Sequence, residues 1–243
     1  MRCALVASLL VSVGALSPFD RFASEVVAPR FFAWFSSSQA VSDLHQKHVD
    51  SETVQHMVKG SPLASAPDEK KLDFARSAAG AAVADFMRLE QRNIGGWKVE
   101  RIVEAAGEPY DATAERERLQ REATSEKVVV FSFIDCPWCL LAKERLAAIA
   151  QSDAEPWLSP SDLRVVELED LGRDGKRLRA ALALATGRTS MPSIWVGGKC
   201  IGGYTDGDMP EGDPALCVEA SAGLEGLTED GPGRLRELLQ QQD

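Results

Sequence analysis

One stretch constrains this chain more than any other: Val128-Val129-Val130-Phe131-Ser132-Phe133-Ile134-Asp135-Cys136-Pro137-Trp138-Cys139. Its apolar run predicts a strand buried on both faces. The run stops at a polar, proline-containing turn, after which Leu140, Leu141, Leu146 and Ile149 recur at helical spacing. A Cys-x-x-Cys therefore sits where a buried strand hands over to a helix. The first turn of a helix carries unsatisfied N–H groups and the positive end of the macrodipole, so a thiolate there is stabilised over the thiol. A free cysteine with a pKa of about 8.5 is only a few per cent ionised at neutral pH, whereas one lowered to about 5 is almost wholly thiolate. Cys136 reads as an activated nucleophile and Cys139, one turn on, as its resolving partner.

Two alternatives compete. A Cys-x-x-Cys can be half of a zinc site, but zinc needs two further ligands at recognisable spacing. Cys3, Cys200 and Cys217 form no second such pair, and His45, His48 and His56 lie far upstream. The pair could also be two inert buried thiols. An odd count of five cysteines in 243 residues is no disulfide scaffold, and one Cys-x-x-Cys beside a strand-to-helix handover favours redox chemistry. The net charge of -10 argues against a nucleic-acid-binding surface.

Residues 1–16 read as a targeting segment: Arg2 is a minimal positive region, an apolar core follows, and Val13-Gly14-Ala15 offers a small-residue cleavage site. The alternative is a buried N-terminal helix. The run is too short to span a bilayer, and no other stretch does so, which argues against integral membrane association. Past it, Leu16-Ser17-Pro18-Phe19 and the serines at 36–38 resemble the bipartite presequences of algae with complex plastids. That resemblance implies a plastid reached by the secretory route, with the secretory lumen or the cytoplasm as alternatives. Phe31, Phe32, Trp34 and Phe35 form an aromatic cluster, and Gly60 to Pro67 is a linker. Residues 17–67 are thus presequence remainder and linker.

Asp68 caps a helix in which Leu72, Ala75, Ala79, Ala82, Phe86 and Leu89 form a stripe, ending near Gly95-Gly96. Trp97, Val99, Ile102 and Val103 follow, so residues 68–107 read as a helical extension without a catalytic constellation. The domain proper is 108–243. Asp111 caps a helix to about Ala123; then come a strand at 128–133, a helix from Pro137 to about Ala150 and a strand from Leu163 to Leu168. A helix from Asp174 to Thr186 ends at Gly187, and Gly197-Gly198 joins two short strands in a primed turn. Helices around Val218–Thr228 and Arg234–Gln241 close the chain. Strand–helix–strand requires a right-handed parallel crossover and the last two strands add antiparallel, giving a mixed four-stranded sheet with helices on both faces.

Residues 111–240 resemble glutaredoxins of the dithiol class. Cys136-Pro137-Trp138-Cys139 is similar to their active site, with Trp where Tyr or Phe is commoner. Thr186-Gly187-Arg188-Thr189-Ser190-Met191-Pro192 is similar to their Thr-Gly-x-x-Thr-Val-Pro stretch, and Gly202-Gly203-Tyr204-Thr205-Asp206 to their Gly-Gly-x-Asp/Thr-Asp. The resemblance implies a thioredoxin-like fold with an N-terminal helical extension. It also implies glutathione as co-substrate, no metal, and partners that are glutathionylated or disulfide-bearing proteins. It implies that Pro192 is cis, turning the Met191 backbone toward the cysteinyl backbone of glutathione, with Pro137 and Trp138 beside it. Thr205 and Asp206 then face the γ-glutamyl end, and Arg179 and Arg188 the glycyl carboxylate, unless both arginines lie on a solvated helix face.

The reaction implied is reduction of protein disulfides and protein–glutathione mixed disulfides. Rival roles are the holding of an iron–sulfur cluster between two copies, and a scaffold without turnover. The chain departs from the family pattern at Phe133, where a lysine is usual, and at Asp135, whose negative charge is expected to raise the Cys136 pKa. An acidic insertion at 206–214 lengthens the loop after the Gly-Gly pair.

Overall fold

The computed structural model describes residues 65–152, 157–207, 209 and 211–241. The targeting segment at 1–16, the aromatic cluster, the three histidines and the linker up to residue 64 lie outside the described residues.

Among the described residues, eleven helices and strands follow in order: α1 Asp68–Arg76, α2 Ala78–Ala105, α3 Ala112–Ala123, β1 Val128–Ser132, α4 Pro137–Ala150, β2 Leu163–Glu167, α5 Gly172–Thr186, β3 Ser193–Val196, β4 Lys199–Gly202, α6 Gly223–Thr228 and α7 Gly233–Gln240, with a short 3-10 turn at Pro160–Asp162 before β2. The sheet runs β2-β1-β3-β4. β1 pairs parallel with β2 and antiparallel with β3, and β3 pairs antiparallel with β4. This is the thioredoxin-like arrangement that the motifs imply, with helices on both faces and a helical region at its N-terminal side.

Alternation along β1 divides the core. Val129 and Phe131 point to one face, where they meet Leu119 of α3 and Leu178 and Leu182 of α5. Val128 and Val130 point to the other, against Leu146 of α4, Leu224 and Leu227 of α6 and Leu235 of α7. All five residues of β1 are buried, as a central strand covered on both sides must be. Local chemistry sets the ends of the elements. The Asp111 carboxylate accepts from Thr113 and Ala114 N–H, both at 3.0 Å, and Gly187 stops α5 in the left-handed conformation, at φ 68°. Gly197 and Gly198, at φ 54° and 80°, form the primed turn between β3 and β4.

Three expectations need correction. The extension is two helices, not one ending at Gly95-Gly96: the chain breaks after Arg76, and α2 runs on to Ala105 with a kink at Ile94. Gly95 and Gly96 lie inside it, since helical propensity is a weak prior that packing overrides. The break resets the helical phase, so the foreseen stripe does not form a buried face: Ala82 is exposed and Leu89 is 55% exposed, while Lys71 and Ala84 are buried. Finally, the helix expected from Val218 starts at Gly223, because the Val218 N–H is taken by the Cys200 carbonyl at 2.9 Å, and Cys200 and Cys217 form a parallel bridge. Near the end of α2, Ile102 and, just past it, Ala106 pack on Ala180 and Ala183 of α5.

Candidate active site

The sequence places cysteine at the N-cap of α4 and proline at its first turn, where a missing N–H costs nothing. Cys136 is extended (φ -80°, ψ 119°), and its sulfur accepts the Cys139 N–H at 3.3 Å. As a thiol it reaches the Met191 carbonyl at 3.6 Å. Met191–Pro192 is a cis peptide bond, as the family motif implies. The loop before Cys136 is held from just past the end of β2, where the Glu169 carboxylate accepts the Ile134 N–H at 2.9 Å.

The two thiols, both free, are driven apart in acidity. Hydrogen bonding from Cys139 lowers the Cys136 pKa; burial opposes this, while the Cys139 and Trp138 N–H groups and the Lys143 ammonium add to the lowering. Cys139, fully buried, is pushed well above the usual thiol range by burial and by its bond to Cys136. Cys136 is thus the more acidic of the two sulfurs and Cys139 the less acidic.

Asp135 does not act on Cys136 as foreseen. Its carboxylate takes the ammonium of Lys71, from α1, at 2.6 Å. Lys71 is 3% exposed. Burial pulls its pKa down, but the hydrogen bond and charge of Asp135, with Asp68 at 3.5 Å behind it, outweigh burial and hold it up. Beside it, the Phe74 ring meets Trp138 edge-on, with centroids 6.0 Å apart. The helical extension therefore contributes directly to the surroundings of Cys136.

Most of the remaining site residues fall around one groove; Pro137 and Arg179 are not part of its lining. Trp138, Arg188, Ser190, Met191, Pro192, Gly203, Tyr204, Thr205 and Asp206 line it. Neither arginine lies on a solvated helix face. The Arg188 guanidinium is 5% exposed, bonds the Asp206 carboxylate and reaches Ser190 Oγ at 3.0 Å. A side chain at position 203 would meet that guanidinium at 2.6 Å, which explains the second glycine of the Gly-Gly pair. Arg179 stacks over the Phe133 ring, 5.0 Å from its centroid. Pro137 is buried at the head of α4.

The same groove is lined from the other side by Ala84, Met87, Arg88 and Gln91 of α2. The Gln91 carboxamide oxygen accepts from Thr189 N–H at 3.1 Å and Thr189 Oγ1 at 2.9 Å, and its amide donates to the Gly187 carbonyl. Arg88 donates to the Thr205 carbonyl at 3.1 Å. Sequence reading missed Lys71, Phe74, Arg88 and Gln91: they lie in charged or alanine-rich helical sequence that carries no motif, and 45 or more residues before Cys136 in the chain.

A Cys-x-x-Cys with split acidities at a helix head, opposite a cis-proline on a β2-β1-β3-β4 sheet, defines a thioredoxin-like thiol-exchange protein. No family model matches the chain. Among curated relatives, a glutaredoxin of Vernicia fordii is 36% identical over 108 residues, 43% of this chain and 93% of that one. A glutaredoxin of Ricinus communis is 38% identical over 80 residues, 33% of this chain and 68% of that one. Glutaredoxin-C4, chloroplastic, of Oryza sativa is 35% identical over 99 residues, 41% of this chain and 66% of that one. The crystal structure of the holo form of glutaredoxin C1 from Populus tremula x tremuloides is 37% identical, spanning 38% of this chain and 73% of that one at a TM-score of 0.32. This chain belongs to the glutaredoxin family of thiol oxidoreductases.

Proposed function

We propose that the chain is a dithiol glutathione-dependent oxidoreductase with Cys136 as nucleophile and Cys139 as resolving thiol. The observation that carries this reading is the opposed acidity of the two sulfurs, set by the Cys139 N–H and thiol directed at Cys136. Thiol–disulfide exchange needs a thiolate, a good leaving thiolate and access, and no metal.

The Cys136 thiolate attacks the glutathione sulfur of a protein–glutathione mixed disulfide. The bond between the two sulfurs breaks, and the protein thiolate leaves and takes a proton. Glutathione stays bonded to Cys136 until a second glutathione thiolate attacks its sulfur, releasing glutathione disulfide and the Cys136 thiolate. On a protein disulfide, Cys136 first joins one substrate sulfur. Bonded in this way, Cys136 no longer accepts from Cys139, which removes one of the causes holding the Cys139 proton. Cys139 then attacks Cys136, frees the reduced substrate and leaves an internal disulfide for glutathione to reduce.

Glutathione takes the groove between Trp138 and the Met191–Pro192 peptide. Thr205, Asp206 and Arg188 line it with polar and charged groups, whereas Arg179 lies outside that lining, over the Phe133 ring. The buried indole N–H of Trp138 has no acceptor among the described residues, and a buried donor is costly unless a ligand group meets it. Glutathionylated and disulfide-bearing proteins are the partners. The plastid is the proposed compartment, supported by the apolar N-terminal run and by relatives named chloroplastic from Oryza sativa and Arabidopsis thaliana. No helix among the described residues is long and apolar enough to cross a membrane.

Replacing Cys136 by Ser abolishes reduction of a glutathionylated peptide, whereas Cys139→Ser keeps that activity and loses reduction of protein disulfides. Equal loss from both replacements, measured in a glutathione-coupled assay, contradicts the assignment.

A further inference from the structure

The groove that should receive a tripeptide is closed by the chain's own extension. Between the walls about 30 Å³ of room remains, enough for a water molecule or so and far below the roughly 300 Å³ at which ligand pockets begin. The contacts that close it imitate a ligand. A glutamine carboxamide is a peptide group on a side chain, and Gln91 uses it as a strand uses its backbone. It accepts the Thr189 N–H at 3.1 Å and donates to the Gly187 carbonyl, on either side of Arg188. Arg88 occupies the Thr205 carbonyl at 3.1 Å, at the end of the groove assigned to the γ-glutamyl group. Ala84, 5% exposed, and Met87 fill the apolar stretch between.

We propose that α2 is an intramolecular competitor for the glutathione groove, held in place by Gln91 and Arg88 and displaced when glutathione binds. This rests on the reading of the groove as glutathione's. The grip is suited to release. It consists of a few part-buried polar contacts, each contributing roughly two- to tenfold to the docking equilibrium. A protein whose groove is open only part of the time binds its ligand more weakly by that fraction. Glutathione affinity is therefore set by the extension as well as by the groove, and anything that draws α2 away raises it. The extension is anchored separately at Lys71 and Phe74 on α1, so α2 can leave the groove while α1 stays beside the nucleophile.

The test uses the full chain and S-methylglutathione, which cannot exchange with thiols. Calorimetric titration compares the native chain with the Arg88→Ala/Gln91→Ala variant, which is expected to bind roughly tenfold more tightly. Hydrogen exchange on the native chain supplies a readout that needs no variant: saturating S-methylglutathione is expected to accelerate exchange over residues 80–92. Equal affinity in the two chains overturns the competition and leaves the glutathione reading intact. So does ligand-bound native chain whose 80–92 segment exchanges no faster than in the free protein. Absence of binding by either chain overturns both.

Discussion

Replacing Lys71 by Met tests how a helix distant in sequence shields the Cys136 sulfur from Asp135. Methionine keeps most of the volume and apolar contact of a buried lysine stem while removing the ammonium that Asp135 faces at 2.6 Å. The carboxylate is then left next to Cys136 with its charge unbalanced. At a separation of about 5 Å and an effective dielectric near 20, it disfavours the thiolate by roughly 3 kcal/mol. The Asp135 side chain is 56% exposed, however, so solvent weakens the effect, and a dielectric about twice as large leaves ~1.7 kcal/mol, or about one pKa unit. The sign is upward, because an uncompensated negative charge opposes formation of another. The assay is the rate of Cys136 alkylation by iodoacetamide as a function of pH. On the acid limb, where the rate follows the thiolate fraction, Lys71→Met reacts about tenfold more slowly, and above both pKa values the two chains react alike. Adding Asp135→Asn to Lys71→Met removes the stranded charge and returns the profile close to the native one. An unshifted profile for Lys71→Met, or a shift that persists in the double variant, refutes the claim that the ion pair shields the thiolate from Asp135.

Two further outcomes follow. Gly175→Ala drives a methyl to 1.8 Å from the Leu168 carbonyl oxygen, so α5 must move off the end of β2, and we expect a loss of about 2 kcal/mol or more in urea unfolding; a change under 0.5 kcal/mol contradicts that packing. A fusion of residues 1–60 to a fluorescent protein, expressed in an alga with complex plastids, is expected to collect in the plastid, and retention in the cytoplasm removes that assignment.

Much of the domain was legible because its determinants are local. The run from Val128 to Phe131 could only be an interior strand, and a cysteine followed by proline at a helix start sets the N-cap geometry by itself. Gly187 and Gly197-Gly198 mark turns that need positive φ. The motifs at 186–192 and 202–206 were also readable, and these residues do gather around one groove. The extension was misread because its two helices are governed by what they pack against. Ala84, which lines the groove, is buried, while Leu89, more apolar, is exposed among the described residues.

The sequence by itself determined the order of strands and helices and the cysteine at the helix head, because each depends on residues within a turn or two of one another. The cis-proline was implied by the family resemblance, and that its loop, at Met191, faces Cys136, 55 positions away, was decided by the fold. The tertiary structure alone decided that Lys71 neutralises Asp135, that Arg188 turns to Asp206, and that Gln91 sits in the groove. Those contacts join residues 18 to 98 positions apart. Which charges end up balanced is settled only when separate elements dock, since electrostatic and hydrogen-bonding effects depend on distance in space and leave no period or spacing in the chain.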